Sequence, residues 1–400
     1  MSNEKLPTNL VCVFDGGTSS AKILFQIGGG DVQWMIMEPE HIALPAESAA
    51  NLPDDSGMGK PEDNAWVRLN KTGECHAIGL VARNYKASVS IKNLKCQSLV
   101  FKILAAIGAI AERENLPDEL ELELGIMLPF GEYASSEDLE IDLKAALKSF
   151  YFRSRRLKVK LVDCLCVPEG FGAAKFTSSI KADYFYGGNT AHVMLGYRNT
   201  SCLFFRRGTL SSSESSTTTL GFYDLLDKVC AKVPGISKDD LGRSIYTSSE
   251  NVFNRARLET KPVFKTEIAF HNLALSHDAS KAKLEAERIK QAYSTSLEEY
   301  WILLKNWLNE SLPRDRELDA IVYSGGACVL LDEKLKEYTA SRNALHHTSG
   351  ATEQVRKNLL VSKQEEKEFV AKNLAIRFAD AWGFFVDFAD YDLTEGKGAA

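Results

Sequence analysis

The sequence has no excess of positive charge. Lys and Arg number 48 against 54 Asp and Glu, which gives a formal net charge of −6 with neutral histidines. No general basic field is available to hold nucleic acid phosphates, so we expect no direct nucleic acid binding and only an indirect DNA connection. The chain also has no run of about 18 consecutive apolar residues and no apolar signal core at its start. We therefore expect neither a membrane span nor secretion, and a cytoplasmic protein.

Cysteine usage and overall composition indicate an ordinary soluble globular chain. The eight cysteines form no CxxC pair, which argues against a zinc site, and several lie in apolar runs typical of reduced core residues. A length of 400 residues exceeds what one hydrophobic core usually organises. Apolar residues make up 44% and charged residues 26%, which argues against global disorder. Two domains are expected.

Glycine clusters separate apolar runs at two places in the chain. Leu10–Phe14, Ala21–Ile27 and Val32–Met37 are separated by DGGTSS and GGGD, which predicts a three-stranded antiparallel meander. The pattern restarts after residue 183, where Tyr184–Tyr186 and Ala191–Tyr197 flank the turn GGNT. The second half is therefore predicted to repeat the opening of the first.

Further strands and helices are predicted around these two openings. The predicted strands are Trp66–Leu69, Cys75–Ile78, Leu120–Ile126, Leu157–Val167 and Ala320–Tyr323. The predicted helices are Lys95–Asn115, Ser135–Phe150, Phe222–Val233, Ser280–Leu312 and about Gln364–Phe378. The apolar segment Trp382–Phe388 is expected to pack within the molecule, with a contact to a neighbouring subunit as the open alternative. We divide the chain into domain I (1–180, with a peripheral insertion over about 38–95), domain II (181–355) and a C-terminal helix (356–400) that returns to domain I.

The turn from Asp15 to Lys22 has the composition of a phosphate-binding loop. It joins two predicted strands, so it is not the strand-to-helix loop of Walker or Rossmann motifs. Small residues let successive backbone N–H groups point at one spot, hydroxyl groups and a lysine supply further donors, and an acid at the strand end can hold magnesium or its waters. The same composition is ordinary for a hairpin turn, and that interpretation stays open.

Two further glycine turns could complete a ligand site. The turn over residues 187–190 occupies the same place in the second predicted meander and could face the first turn across a cleft. The segment 320–327 is a buried type of strand followed by two glycines, where the flat surface of an adenosine can approach bare backbone. An ordinary strand-to-helix glycine turn is the alternative for this segment.

Three sequences carry a resemblance to a known superfamily. DGGTSSAK, YGGNTAHV and YSGGACVL, in this order, resemble the phosphate 1, phosphate 2 and adenosine motifs of actin, sugar kinases and heat-shock chaperone ATPases. The arrangement is most similar to the bacterial actin-like proteins of the ParM type, and the resemblance spans most of the chain. It implies an α/β, actin-like fold with two similar domains, each a mixed sheet flanked by helices, around a nucleotide cleft. It also implies ATP or GTP with Mg²⁺ as cofactors.

The resemblance implies a role for each motif. Asp15 would coordinate magnesium through water, and Lys22 would reach the β- and γ-phosphates. The implied nucleotide-binding residues are Asp15, Gly16, Gly17, Thr18, Ser19, Ser20, Lys22, Gly187, Gly188, Asn189, Thr190, Ser324, Gly325 and Gly326. Glu169 lies where these ATPases place a loop whose acid or amide orients the attacking water, so it is the candidate catalytic residue. An exposed glutamate in an ordinary turn is the alternative.

One position departs from the family pattern. The phosphate 2 strand of the family ends in an aspartate two residues before its first glycine, and that position is Phe185 in this register. A phenyl ring can neither bind magnesium nor accept a proton from water. We therefore expect nucleotide binding with slow hydrolysis, or a metal held by Asp15 alone.

The implied function is that of a ParM-like actin. ATP would join the domains, and head-to-tail contacts that do not close by rotation would give cytoskeletal filaments. Such relatives move plasmid DNA through a small DNA-binding adaptor of the ParR type, and a cellular scaffold is a second possibility. The expected activity is ATP hydrolysis coupled to filament turnover. Two alternatives stay open: a small-molecule kinase of the same superfamily, and a nucleotide-binding module without filaments.

Overall fold

The chain divides into two compact units. The computed structural model describes residues 8–54, 57, 59–87, 96–245, 268–313, 317–348, 351–359, 365, 369, 374–392 and 397–398. Unit 1 comprises Met1–Phe176, Arg356–Leu360 and Asp380–Ala400, and unit 2 comprises Thr177–Val355 and Val361–Ala379. No helix in these described ranges is long and apolar enough to cross a membrane.

A nine-stranded sheet forms the centre of unit 1. Its strands are β1 (Thr8–Asp15), β2 (Ala21–Ile27), β3 (Gln33–Met37), β4 (His41–Leu44), β5 (Trp66–Arg68), β6 (Cys75–Ile78), β7 (Glu119–Leu128), β8 (Phe150–Phe152) and β9 (Arg155–Pro168). The strand order is β3-β2-β1-β7-β9-β8-β5-β6-β4. β1 pairs antiparallel with β2 and parallel with β7, and β2 pairs antiparallel with β3. The predicted meander is confirmed, as is the hairpin of β5 and β6.

Apolar periodicity explains how the first elements of unit 1 form its core. The helices are α1 (Leu80–Asn84), α2 (Cys96–Arg113), α3 (Ser136–Leu147) and α4 (Phe171–Ile180), the last of which continues into unit 2. Ile103, Ile107 and Ile110 recur at helical spacing in α2 and are buried, while Leu122 and Leu124 alternate with glutamates in β7. The buried face of α2 and the apolar face of β7 meet in one hydrophobic cluster.

A smaller sheet forms the centre of unit 2. Its strands are β10 (Asn189–Leu195), β11 (Thr200–Arg206), β12 (Thr209–Leu210), β13 (Ser216–Thr218), β14 (Ala320–Ser324) and β15 (Leu345–Thr348), in the order β12-β11-β10-β14-β15 with β13 on β11. The helices after α4 are α5 (Ala182–Gly187), α6 (Phe222–Lys232), α7 (Ala279–Ser311), α8 (Asp332–Ser341), α9 (Ala351–Asn358) and α10 (Leu374–Phe388). β10 pairs antiparallel with β11 and parallel with β14, as β1 does with β2 and β7.

The predicted strand over Tyr184–Tyr186 is wrong, because these residues lie in α5. The N–H of Phe185 donates to the carbonyl of Lys181 at 3.2 Å, a helical hydrogen bond. The Phe185 ring is buried against Phe205 of β11, whereas the neighbouring Tyr186 is exposed. The GGNT segment is therefore not a hairpin turn: it leads from α5 into β10. The hairpin turn between β10 and β11 is 196–199, where the N–H of Gly196 donates to the carbonyl of Asn199 at 2.9 Å.

The helix predicted to end at Phe378 continues to Phe388 as α10. Gly383 lies inside this helix and does not end it. Its bare backbone lies against the carbonyl oxygen of Gly172 in α4. Trp382, Phe384 and Phe385 are fully buried, which confirms the expected packing of this apolar segment. The earlier part of the predicted helix, 364–373, lies almost entirely outside the described residues. Beyond α10, β16 (Tyr391–Asp392) pairs antiparallel with β17 (Lys397–Gly398).

A buried histidine should make the stability of unit 2 depend on pH. His192 of β10 is surrounded by the rings of Phe185 and Phe205, and neither ring nitrogen bonds a described residue. Burial, with a smaller contribution from the charge of His347, lowers the pKa of His192 to about 3. Since the folded pKa lies below the unfolded value, protonation favours the unfolded chain, and stability is lost as the pH falls below about 6.5.

We expect His192 to account for a loss of about 2 kcal/mol between pH 7 and pH 5. Urea unfolding of the wild type and of His192→Leu at both pH values measures it. His41, whose pKa burial lowers to about 4, contributes equally to both proteins and so cancels in the comparison. The pH dependence of His192→Leu should be smaller by that amount. An equal pH dependence in the two proteins would mean that His192 is hydrated or paired.

Candidate functional site

Asp15 and Lys22 form a buried ion pair at the end of the first hairpin. Asp15 ends β1, and Lys22 lies directly opposite it on β2. The Lys22 ammonium bonds Asp15 Oδ2, and the two residues are 7% and 1% exposed. Asp15 Oδ1 is buried and bonds no described residue. The sequence prediction that this acid and this lysine act at one place is consistent with their geometry, although no role is tested by it.

The turn between β1 and β2 consists largely of backbone with little side-chain bulk. A Cβ atom on Gly17 would lie 2.6 Å from the carbonyl oxygen of Ser20 and 2.9 Å from Lys22 Nζ. Only a glycine lets the lysine approach the turn this closely. Gly16 is also enclosed, since a Cβ there would lie 2.8 Å from the side chain of Leu99. Thr18 and Ser19 in the middle of the turn are half-buried.

Glu169 is buried, so the alternative of an exposed turn residue is wrong. It follows the end of β9, is 6% exposed, and its N–H donates to the carbonyl of Leu128 at the end of β7 at 2.7 Å. Gly170 comes next with a φ of 97°, a conformation that favours glycine, and α4 begins at Phe171. The turn therefore holds Glu169 at the same edge of the sheet as the end of β7. A catalytic role for Glu169 stays a prediction.

Asp380 is a buried acid that sequence reasoning missed. It lies in α10 and is 3% exposed. Its Oδ2 accepts a hydrogen bond from the N–H of Gly170 at 2.6 Å, and its Oδ1 accepts one from the N–H of Ala173 at 2.8 Å. The pKa of Asp380 is raised to about 7, chiefly by burial, with the charges of Asp15 and Glu169 adding to the effect and the two N–H donors opposing it. An acid within the apolar sequence FADAWGFF was the available signal.

In unit 2, the predicted phosphate and adenosine residues lie at opposite edges of the sheet. Thr190 pairs with Ala320 at one end of β10 and β14, and Met194 pairs with Ser324 at the other. Four residues of strand separate the two ends by about 13 Å. Gly187, Gly188, Asn189 and Thr190 therefore lie at the other end of these strands from Ser324, Gly325 and Gly326, and their role in one nucleotide site stays a prediction. Asn189 is instead held by Asp319, whose Oδ2 accepts its N–H at 2.7 Å.

The turn that adjoins Ser324–Gly326 is Gly196–Asn199. Gly325 has a φ of 87°, and a Cβ there would lie 2.3 Å from the carbonyl oxygen of Leu195, so its backbone closely contacts the last residue of β10, just before the turn 196–199. Both turns follow strand ends at one edge of the sheet. Unit 1 has the same arrangement, in which the turn 16–20 follows the end of β1. The prediction missed Gly196–Asn199 because it contains one glycine, whereas GGNT contains two.

Metal ligands are sparse among the described residues. They contain no group of three His, Cys, Asp or Glu side chains that could hold a metal ion. Asp15 Oδ1 is nevertheless a buried carboxylate oxygen without a partner in the described chain. It suits a magnesium ion that keeps most of its water shell, because Mg²⁺ is commonly held by one or two carboxylates together with waters.

Comparison with solved structures identifies the fold. No family model matches the sequence, and no curated protein matches it. The crystal structure of the actin-like protein Alp7A aligns with a TM-score of 0.61 at 15% identity, over 95% of this chain and 96% of that one. Bacillus thuringiensis ParM with AMPPNP aligns with a TM-score of 0.58 at 14% identity, over 94% and 98%. Ta0583, an archaeal actin homolog, aligns with a TM-score of 0.54 at 13% identity, over 96% and 100%.

These alignments show an actin-like fold of the ParM type. They cover nearly the whole of this chain, and each of the two units is a mixed sheet flanked by helices. The fold class predicted from the sequence is confirmed. At such low identity the likeness concerns the fold alone, so the ligand and the activity have to be argued from this chain's own residues.

Proposed function

We propose that this chain is an actin-like protein that binds ATP with Mg²⁺ and assembles into filaments. The observation that carries the proposal is the buried Asp15–Lys22 pair, with one carboxylate oxygen unsatisfied, against a turn of bare backbone. Solved structures of the same fold support a nucleotide ligand, since Bacillus thuringiensis ParM is known with AMPPNP, ADP and ATP.

Each group at the first turn suits one part of a triphosphate. The Lys22 ammonium would donate to phosphate oxygens, and the backbone N–H groups of Gly16–Ser20 would do the same. Asp15 Oδ1 would hold Mg²⁺ through its waters, and the ion supplies neutralisation of phosphate charge when bound. Glu169 would orient the attacking water, and the bare backbone at Ser324–Gly326 would contact adenosine.

In unit 2 we assign the phosphate-binding turn to Gly196–Asn199 in place of residues 187–190. It ends the central hairpin of its sheet as Gly16–Ser20 does in unit 1. The family's aspartate stands two residues before the first glycine of this turn, and here that residue is Met194. A thioether binds Mg²⁺ no better than a phenyl ring does. The expectation of slow hydrolysis therefore persists, although Phe185 is not its cause.

Filament formation is proposed from the ParM-type fold, with plasmid segregation through a ParR-type adaptor as the first cellular role and a scaffold as the second. The basic side chains of Arg155, Lys158 and Lys160 in β9 do not favour direct DNA binding, because each pairs with an acid. A small-molecule kinase is the alternative function, and it would bind ATP without pelleting.

ATP binding and the assignment of Gly196–Asn199 as a phosphate-binding turn can be tested together. Isothermal titration with ATP and Mg²⁺ should show binding by the wild type. Gly196→Ala should lower the affinity about tenfold, because its Cβ would lie 2.8 Å from the carbonyl oxygen of Asn199 and distort the turn. Gly187→Ala should leave the affinity within about twofold, because nothing lies within 4 Å of its Cβ.

Sedimentation with ATP and without nucleotide distinguishes a filament-forming protein from a small-molecule kinase. A pellet that requires ATP supports the filament proposal. Binding without a pellet, together with phosphate transfer to a small molecule, would favour the kinase. If Gly187→Ala weakens binding while Gly196→Ala does not, the assignment of the turn in unit 2 is wrong. If no nucleotide binds at all, the proposed function fails.

A further inference from the structure

Asp380 joins the last helix of the chain to the turn that follows Glu169. Both of its carboxylate oxygens are used: one accepts the N–H of Gly170 and the other accepts the N–H of Ala173. Gly170 lies just before α4 and Ala173 lies in its first turn, where N–H groups have no intrahelical acceptor. A capping interaction of this kind usually comes from the residue just before the helix. Here it comes from a residue 210 positions later in the chain.

The Glu169 turn is held from two sides. The N–H of Glu169 donates to the carbonyl of Leu128 in β7, and the N–H of the next residue donates to Asp380 in α10. The two bonds fix the peptide groups on either side of the Glu169 Cα atom. The side-chain direction at Glu169 therefore depends on the position of the Asp380 carboxylate.

A charged group is an unfavourable choice for a purely structural link at this place. Asp380 is buried, and Asp15 and Glu169 bring two like charges close to it, while the groups that bond its oxygens are uncharged amides. A neutral asparagine of nearly the same shape would avoid this repulsion but could accept only one of the two N–H bonds. The carboxylate thus maintains a two-point hold on the turn at the expense of stability.

We infer that Asp380 is a positioning residue, which sets the orientation of Glu169 by holding the N–H groups of Gly170 and Ala173. The inference rests on the proposed function, in which Glu169 orients the attacking water. Asp380 itself need not touch nucleotide or water. Its effect on hydrolysis is transmitted entirely through Glu169, and this property separates it from a residue that merely stabilises unit 1.

The test compares Asp380→Asn with a matched control on the same helix. Asp387 of α10 also bonds α4, through Lys175 at 3.1 Å, but it is exposed, so Asp387→Asn removes a link between the same helices away from Glu169. We expect Asp380→Asn to lower ATP-dependent phosphate release about tenfold while the ATP affinity stays within about twofold. Asp387→Asn should change neither. In the Glu169→Gln background, Asp380→Asn should have no further effect on phosphate release.

Amide hydrogen exchange supplies a second measurement that needs no nucleotide. Exchange at Gly170 and Ala173 should be faster in Asp380→Asn than in the wild type and unchanged in Asp387→Asn. An additional loss of phosphate release when Asp380→Asn is combined with Glu169→Gln would overturn the inference, and so would unchanged exchange. If the wild type binds no ATP, the proposed function fails separately; faster exchange then still supports Asp380 as the residue that holds the Glu169 turn.

Discussion

Gly383→Ala is expected to destabilise the protein by about 3 kcal/mol or more, at the upper end of what overpacking does. A Cβ atom on Gly383 would lie 2.1 Å from the carbonyl oxygen and 2.6 Å from the carbonyl carbon of Gly172. Both are backbone atoms of α4, so no side-chain rotation relieves the overlap. The reciprocal position is as tight, since a Cβ on Gly172 would lie 1.9 Å from the carbonyl oxygen of Asp380. α4 and α10 therefore have to separate to admit one methyl group.

Urea unfolding of Gly383→Ala against the wild type measures this effect. Gly187→Ala is the matched control, because Gly187 is also helical but exposed, with nothing near its Cβ position. Alanine there should be neutral or should stabilise by up to about 1 kcal/mol. A loss of less than 1 kcal/mol in Gly383→Ala would show that the two helices can separate easily, and the close crossing would then have no structural importance.

Unit 1 could be predicted well because its signals are local and periodic. The strands β1, β2 and β3 could be predicted because each is an apolar run and glycine turns separate the runs. The same pattern placed Asp15 and Lys22 on opposite strands. The helix α2 could be predicted because its isoleucines recur at helical spacing. In these segments the local preference and the tertiary environment agree.

Unit 2 was predicted less well because tertiary packing overrides local preference at its start. The aromatic sequence of Tyr184–Tyr186 has high strand propensity, yet it forms α5, in which Phe185 packs on His192 and Phe205. The two glycines of GGNT then marked the wrong turn. The turn that forms, Gly196–Asn199, has one glycine and a buried asparagine, and no composition rule distinguishes it from a loop.

Asp380 lay beyond sequence reasoning for a different reason. Its partners Gly170 and Ala173 are more than 200 residues away, so no local pattern connects them. The prediction ended the helix at Phe378, five residues before Gly383. The crossing of α4 and α10 requires that glycine for backbone contact. The candidate site in unit 1 is therefore a local motif, completed by one residue that only the fold brings to it.

Lys22→Met should destabilise the protein by about 3–5 kcal/mol, because it removes the partner of a buried charge. Methionine matches much of the shape of lysine, so the loss of packing is small. Asp15 is 1% exposed and would be left with neither a counter-ion nor water, and Asp380 adds negative charge nearby. The double variant Asp15→Asn with Lys22→Met removes the uncompensated charge, so it should regain most of the lost stability.

Urea unfolding of the two single variants and the double variant separates the pair from its members. The effect of the double variant minus the sum of the effects of Asp15→Asn and Lys22→Met gives the coupling energy of Asp15 and Lys22. Lys144→Met is the control, because the Lys144–Glu140 pair is exposed and should contribute little to stability. If Lys22→Met is no more destabilising than Lys144→Met, Asp15 reaches water in the free protein. A solvated Asp15 would remove the physical basis for a preformed cation site at this turn, since the carboxylate would then be satisfied before any ligand arrived.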